Sequence, residues 1–160
     1  GLLRRSTALI HANDPRGDEI ERVARSEASI VHCPGAARFF DRDSFPMERW
    51  REAGVPVAIG TDSAAGNDSL SMLRELKLLR RSQPELDAAE CFAMATVYGA
   101  RALGLEGLVG SLTEGAFADL CLWPLARTLS REEALERLTR GGVDGPSGLW
   151  IQGRARSLSH

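Results

Sequence analysis

The stretch VAIGTD at residues 57–62 is a short apolar run that ends on the carboxylate of Asp62. Two earlier runs have the same form, because TALIH at residues 7–11 and SIVH at residues 29–32 each end on a histidine. Largely apolar runs of this length are typical of strands buried on both faces, as in a parallel sheet. Each run therefore predicts a strand that carries a polar side chain at its carboxyl end.

The spacing of the three polar ends is that of strand–helix–strand units. His32 follows His11 by 21 residues and Asp62 follows His32 by 30 residues, against roughly 30 residues for one such unit. Since the carboxyl ends of parallel strands meet at one edge of a sheet, we expect the three side chains to lie near each other. Barrels of α/β type build their active sites at this edge, so the three residues form a candidate active site.

The rest of the chain predicts an α/β fold. Helices are expected where apolar residues recur at helical spacing or where a capping residue or proline precedes them. They cover residues 18–27, 47–53, 69–81 and 87–102, and a further helix begins after Ser130. A long loop is expected from residue 34 to 46. Residues 110–160 predict a small β-containing unit, with strands at 119–123 and 149–154.

The composition favours one ordinary globular domain and excludes several classes of partner. With 20 basic and 22 acidic residues the net charge is −2, which offers no support for nucleic-acid binding. No apolar stretch approaches the roughly 18 residues that a membrane span needs. The cysteines Cys33, Cys91 and Cys121 lie apart in apolar contexts. We therefore expect buried thiols, no disulfide and a cytoplasmic setting.

The three strand-end residues can bind a metal or move a proton, and each also has a structural alternative. The imidazole of His11 suits metal ligation or proton transfer near neutral pH. His32 either contacts a substrate or fixes the turn at Pro34 through a hydrogen bond. Asp62 either caps a helix and braces its loop, or binds a metal and accepts a proton from water, because a buried carboxylate needs a partner.

A complete zinc site is not expected from these residues alone. Catalytic zinc has three protein ligands and an open position for water. The chain offers two candidate histidines and one carboxylate, because His160 lies in a tail that we expect to be frayed. The sequence contains no His-x-His pair. We therefore expect the chain to carry part of a metal site.

Several motifs resemble the metal-dependent amidohydrolase superfamily, in its deaminase and chlorohydrolase-like branch. VAIGTD, Asn67 and the segment SLSMLRE at residues 69–75 resemble the last barrel strand and the helix after it. LIH at residues 9–11 and VHCP at residues 31–34 are similar to the sixth and seventh strands. Residues 95–105 are similar to the helix that closes the barrel.

The resemblance implies a fold and an activity. Residues 1–109 would be the last three strand–helix units of a (β/α)8 barrel with its closing helices. Residues 110–160 would return to a small composite β domain, part of a β-sandwich. The implied activity is metal-dependent hydrolysis of a C–N bond outside peptides, with deamination of a heterocyclic amine as the expected reaction. The implied cofactor is Zn2+, or another divalent metal such as Fe2+ or Mn2+, and the partner is a small-molecule substrate.

The resemblance also implies roles for single residues. Asp62 would ligate the metal and shuttle a proton to the leaving group. His11 would orient the attacking water, bind substrate or ligate a second metal. His32 would lie near the substrate. Asn67, like His32, would be a substrate-binding residue, and it would also brace the loop after Asp62.

One segment departs from the pattern of this branch. Its members commonly carry a polar pair such as Ser-Asn after the His-Cys-Pro turn, whereas this chain has Gly35, Ala36 and Ala37. The change removes hydrogen-bonding groups from the rim of the pocket and leaves the substrate class open. Phe39 and Phe40 follow, and their rings are expected either to line the pocket or to fill the mouth of the barrel.

Two interpretations of the whole chain follow. In the first, the chain is the carboxyl-terminal portion of a hydrolase, and the missing amino-terminal half of the same protein is its expected partner. The 160 residues alone would then be inactive. In the second, the chain is a non-catalytic partial-barrel scaffold or subunit fragment without a complete metal site. Three strands cannot close a barrel and leave open sheet edges, which favours the first interpretation. Both leave homo-oligomer formation open.

Overall fold

Three parallel strands form the sheet that carries the candidate site. The computed structural model describes residues 1–42, 44–125 and 128–158. The strands lie side by side in the order β1 (Ala8–Ile10), β2 (Ser29–His32) and β3 (Val57–Ile59). The prediction of three parallel strands is confirmed, and with the helices between them they make the chain an α/β protein.

The described ranges hold seven helices, several of which begin and end at the expected signals. They are α1 (Glu19–Ser26), α2 (Pro34–Phe39), α3 (Met47–Glu52), α4 (Met72–Ser82), α5 (Ala88–Ala95), α6 (Val97–Ala102) and α7 (Arg131–Arg140). Asp87 caps α5, since its carboxylate accepts the N–H of Glu90 at 2.7 Å. Gly54 follows α3 with a positive φ of 69°, which glycine adopts without a steric penalty.

The hydrophobic core lies between the parallel sheet and the helices. Ile30 of β2 and Val57 of β3 belong to it, together with Trp50 of α3 and Leu79 of α4. All four side chains are almost fully buried. Burying a side chain of this kind stabilises the fold by roughly 1.5–3 kcal/mol. Packing of the helices against this side of the sheet therefore fixes the position of the sheet in the fold.

Helix α2 replaces the first six residues of the long loop that the sequence predicts from residue 34 to 46. Pro34 fits its first turn because that position needs no backbone N–H donor. The next N–H, that of Gly35, donates to the buried Glu75 Oε2 atom at 2.6 Å. The prediction was wrong because this acceptor comes from 40 residues further along the chain. Asp43, in the same predicted loop, lies outside the described residues.

The helix predicted over residues 87–102 is two helices, α5 and α6, that meet at Thr96. Thr96 has φ −126° and ψ −91°, which are not helical angles. Its hydroxyl donates to the Phe92 carbonyl at 2.8 Å, a side-chain bond that bends or interrupts helices. Gly110 also approaches the Thr96 carbonyl closely. Local periodicity continues through the break, so the sequence pattern alone does not reveal it.

A second, antiparallel sheet forms from strands β4 (Leu120–Leu122), β5 (Gly148–Ile151) and β6 (Arg154–Arg156), in that order. The single strand predicted over residues 149–154 is instead a hairpin. Its two-residue turn consists of Gln152 and Gly153, with φ of 51° and 74°, and two positive φ values are typical of a tight hairpin turn. Glutamine is rare in this conformation, which is why the turn was not expected.

The cysteine prediction is correct for two of the three thiols. Cys33 and Cys91 are buried, and all three cysteines are free. Cys121 is exposed, and the prediction for it was wrong because all of β4 is exposed in the structure. Within the described residues, no helix is long and apolar enough to span a membrane. Ser159 and His160 of the tail expected to be frayed lie outside those residues.

We expect the capping box of α7 to contribute measurably to stability. The Ser130 hydroxyl accepts the Glu133 N–H, and the Glu133 carboxylate accepts the Ser130 N–H at 2.8 Å. The change Ser130→Ala removes the first bond and should lower the free energy of unfolding by about 1 kcal/mol, measured by urea denaturation. Ser71→Ala is the control, because the single bond from Arg74 N–H to Ser71 is longer, at 3.4 Å. A larger loss at Ser71 would contradict this ranking.

Candidate active site

His11 and Asp62 meet at the carboxyl edge of the parallel sheet. The His11 Nε2 atom lies 3.5 Å from the Asp62 Oδ2 atom, although β2 separates the strands that precede them. Neighbouring strands are about 4.8 Å apart, so these side chains close a gap of roughly twice that distance across the end of β2. The structure thus brings together two of the three strand-end side chains.

Both members of this pair have an unusual backbone conformation. His11 has φ 70° and Asp62 has φ 57°, in the left-handed region that non-glycine residues rarely occupy. A left-handed residue ends the extended strand, so strand alternation no longer decides where the side chain points. Such conformations cost about 1–3 kcal/mol and cluster at functional sites. The shared strain favours a functional role for the pair.

The Asp62 carboxylate is held at one oxygen and open at the other. Its Oδ1 atom accepts the Ser63 N–H at 2.8 Å, and its Oδ2 atom faces His11. The side chain is 30% exposed, and that of His11 is 45% exposed. The pair is therefore accessible from outside, with Oδ2 and Nε2 as the atoms available for chemistry.

His32 lies in a different environment from His11. It is 3% exposed and stacks on the ring of Phe45, with centroids 4.0 Å apart and an angle of 18° between the planes. Ile30, two positions earlier on the same strand face, belongs to the hydrophobic core. Within the described residues its Nδ1 atom has no hydrogen-bond partner. Burial lowers the pKa of His32 to about 4, and the charge of His11 adds to the effect.

Asn67 braces the loop that follows Asp62. Its side-chain Nδ2 atom donates to the Thr61 carbonyl at 2.6 Å and to the Glu75 Oε1 atom at 2.8 Å. Its Oδ1 atom accepts the Arg74 guanidinium at 2.6 Å. Both hydrogens of the amide and its carbonyl are thus engaged within the protein, and the residue is 5% exposed. This arrangement favours the bracing role of Asn67 over contact with a substrate.

Sequence reasoning missed Glu75, which is fully buried. It lies four residues before Leu79, whose side chain is also fully buried, so the helical period places both on one face of α4. A charged residue on an apolar helix face is a signal that could have identified it. Glu75 is hydrogen-bonded to Asn67 of the loop after Asp62 and to Gly35 in the first turn of α2.

The glycine at position 35 and the phenylalanines after it have defined places. A Cβ atom at Gly35 would fall 2.5 Å from the side-chain amide atoms of Asn67, so no larger residue fits there without displacement. Phe40 is 53% exposed and packs over Gly66, where an added Cβ would lie 2.8 Å from its ring and 3.9 Å from the Asp62 Oδ2 atom. The Phe40 ring therefore borders the loop that carries Asp62, and Phe39 contacts it edge-on.

The described residues fit part of a metal site. Among them, no three side chains of His, Cys, Asp or Glu converge on one position. The His11 imidazole and the Asp62 carboxylate are both ligand types that divalent metals accept. Burial raises the pKa of the nearby Cys33 thiol to about 11, and the charges of Asp62 and Glu75 add to that shift. The described residues thus offer two candidate ligands, whereas a catalytic metal site usually has three protein ligands.

Comparison with known proteins gives a family match over nearly the whole chain and a curated relative over three quarters of it. The model of the Amidohydrolase family matches residues 2–155. The 5-methylthioadenosine/S-adenosylhomocysteine deaminase of Teredinibacter turnerae is 39% identical over 127 residues. That match covers 75% of this chain and 29% of the relative. The chain thus spans less than a third of the length of this relative.

Solved structures match the fold closely. Guanine deaminase of E. coli superimposes with a TM-score of 0.88 at 25% identity, covering 99% of this chain and 40% of that one. Atrazine chlorohydrolase of Arthrobacter aurescens TC1, solved in complex with zinc, superimposes with a TM-score of 0.86 at 27% identity. This superposition covers 96% of this chain and 36% of the chlorohydrolase chain.

The buried His32 should make stability depend on pH. Its pKa is about 4 in the folded protein and near 6.5 when unfolded, so between these values the unfolded state binds more protons. The contribution of the neutral His32 to the free energy of unfolding is complete at a pH above its unfolded-state pKa. This contribution is lost as the pH falls towards 4, by about 2 kcal/mol between pH 7 and pH 5. The change His32→Phe keeps the stacking on Phe45 and should remove this part of the dependence. Urea denaturation at both pH values tests it, and an unchanged pH dependence in the variant would contradict it.

Proposed function

The chain belongs to the amidohydrolase family, and from that premise we propose that it supplies the carboxyl-terminal part of a metal-dependent hydrolase that removes an amino group from a heterocycle. The observation that carries this proposal is the contact between the His11 Nε2 and Asp62 Oδ2 atoms at the sheet edge. Both residues hold a strained left-handed backbone there. Their similarity in type and order to the metal-ligating residues of the family supports the same roles.

We propose that β1, β2 and β3 are the last three strands of a (β/α)8 barrel, within residues 1–109. Residues 110–160 would be the return to the small β domain. The match to E. coli guanine deaminase, which covers 40% of that chain, supports this arrangement. The outer edges of β1 and β3 would pair with strands that precede this segment in the complete protein. Such pairing would also remove the aggregation hazard of open edges.

Asp62 and His11 would hold a divalent metal together with ligands from outside the described residues. The zinc in the solved relative supports Zn2+ as the metal. When bound, the metal lowers the pKa of water and so supplies a nucleophile near neutral pH. The residues of this chain fit such a site only in part, since two donors are present.

The two site residues have complementary tasks in the proposed reaction. Water adds to the ring carbon that bears the amino group, and ammonia leaves, so that R–NH2 and H2O become R–OH and NH3. The Asp62 Oδ2 atom accepts the proton of the attacking water and delivers it to the departing nitrogen, because Oδ1 is engaged by the Ser63 N–H. His11 faces the same oxygen; where its Nε2 atom does not hold the metal, it would orient the water instead.

The proposed substrate is a planar heterocyclic amine of the purine class. The names of two similar proteins, a 5-methylthioadenosine/S-adenosylhomocysteine deaminase and a guanine deaminase, support this class. The half-exposed ring of Phe40 beside the Asp62 loop offers a flat apolar surface on which such a ring can stack. The polar groups that would select one purine are expected from the rest of the complete protein.

A second candidate function is a non-catalytic scaffold. The observation that favours it is the incomplete set of metal ligands among the described residues. Measurement of the zinc content of the complete protein distinguishes the hydrolase from the scaffold. The hydrolase should bind close to one zinc per chain, and His11→Ala should lower that occupancy. Zinc-free complete protein without turnover would instead favour the scaffold.

The variant Asp62→Asn should test the proposed hydrolase directly. In the complete enzyme it keeps the size of the side chain but removes both the proton acceptor and the charge. We expect kcat for deamination to fall about 10³-fold or more, measured by ammonia release from 5-methylthioadenosine and from guanine. The control is Asp68→Asn, which removes an exposed carboxylate of the same loop that pairs with Arg74 of α4. Near-normal kcat in Asp62→Asn would refute the assignment.

A further inference from the structure

A fully buried carboxylate, Glu75 of α4, joins the first turn of α2 to the loop that carries Asp62. Its Oε2 atom accepts the N–H of Gly35, where the chain leaves β2. Its Oε1 atom accepts the side-chain amide of Asn67. That amide also donates to the carbonyl of Thr61, the residue directly before Asp62. One side chain thereby ties the turn after β2 to the loop after β3.

We propose that Glu75 and Asn67 form a buried clamp that positions Asp62 for its reaction. The two side chains act through the Thr61 carbonyl and are placed away from the reacting atoms, so both are positioning residues. The catalytic consequence of the clamp rests on the proposed function. The effect of the clamp on the conformation of the loop does not rest on that function. The catalytic effect and the conformational effect can therefore be measured separately.

The conformation of Asp62 explains why a clamp is needed. Its φ of 57° is strained for a residue with a side chain, and such conformations persist only where the surroundings over-determine them. The Ser63 N–H holds the carboxylate from one side. The bond from Asn67 to the Thr61 carbonyl holds the backbone from the other side. Without that bond, the loop could relax and carry the Oδ2 atom away from His11.

The chemistry of Glu75 fits a joining role better than a packing role. Within the described residues no basic side chain forms an ion pair with it, so its charge is buried against two neutral donors. A buried charge is costly, and an apolar side chain of similar size would pack at lower cost. A carboxylate is, however, the side-chain group that accepts donors at two oxygens at once. Joining the N–H of Gly35 to the amide of Asn67 requires this property.

The first variant is Glu75→Gln in the complete enzyme. A glutamine keeps the shape but has one oxygen, so it can accept either the Gly35 N–H or the Asn67 amide and not both. We expect kcat to fall by about 10- to 100-fold, the range typical of losing outer residues that support a metal ligand, while KM changes by less than about threefold. Amide hydrogen exchange over residues 60–68 should become at least about tenfold faster.

The matched control is Glu136→Gln, the same chemical change on α7. Glu136 pairs with Arg80 at 2.8 Å and with Arg140, on an element that contributes no residue to the site. We expect this control to lower the thermal midpoint with kcat and the exchange of residues 60–68 unchanged. If Glu136→Gln lowers kcat as much as Glu75→Gln does, loss of activity follows stability alone and the clamp is refuted.

A second variant covers the case in which Glu75→Gln does not fold. Asn67→Ser is too short to reach both the Thr61 carbonyl and Glu75, and it keeps the bond from Gly35 to Glu75. It should reproduce the fall in kcat and the faster exchange. If both single variants fold, kcat of the double variant should be no lower than that of the less active single variant, because both changes remove the same linkage. Losses in kcat that multiply would overturn the clamp.

Failure of the clamp and failure of the proposed function give different results. Complete wild-type enzyme that releases no ammonia from purine amines would refute the proposed function. Hydrogen exchange still decides the clamp in that case, since it needs no turnover. Unchanged exchange over residues 60–68 in both Glu75→Gln and Asn67→Ser would refute the clamp even in an active deaminase.

Discussion

Backbone pairing between three parallel strands holds the polar strand ends at one level, and the candidate site depends on it. The ladder continues past the strands themselves, because the His11 N–H donates to the Val31 carbonyl and the Gly60 N–H donates to the His32 carbonyl. A shift of register by one residue would turn each side chain to the opposite face. The buried helix-facing side prevents such a shift, since it places Ile30 and its neighbours in the core.

The site combines strain at its centre with hydrogen bonds around it. His11 and Asp62 both occupy a left-handed backbone region, and a cost of this kind is sustained only by a well-determined neighbourhood. The neighbourhood here is polar and buried, with Asn67 and Glu75 as its members. Buried polar networks rigidify a structure when every group is satisfied. The surroundings of Asp62 therefore have the rigidity that a reacting carboxylate needs.

His11 and His32 show how far similar sequence contexts can diverge. Each histidine ends a short apolar run, so the sequence pattern predicts the same position at the sheet edge for both. In the structure, His11 adopts a positive φ and turns towards Asp62. His32 instead continues its strand, so it shares the face of Ile30 and stacks on Phe45 inside the core. The difference arises from one backbone angle and from what packs on each strand face, neither of which a local pattern contains.

Local sequence patterns were sufficient to predict the features that local chemistry controls. These are the three strands, the capped starts of helices α5 and α7, and the common sheet edge at which the polar strand ends lie. Features whose partners are distant in the chain depend on the folded protein: α2 needs Glu75 as an acceptor, and α5 ends where Thr96 lies against Gly110. The role of Glu75 belongs to this second group. A buried hydrogen bond is as strong across 40 residues as across four, but only the folded chain brings its two ends together.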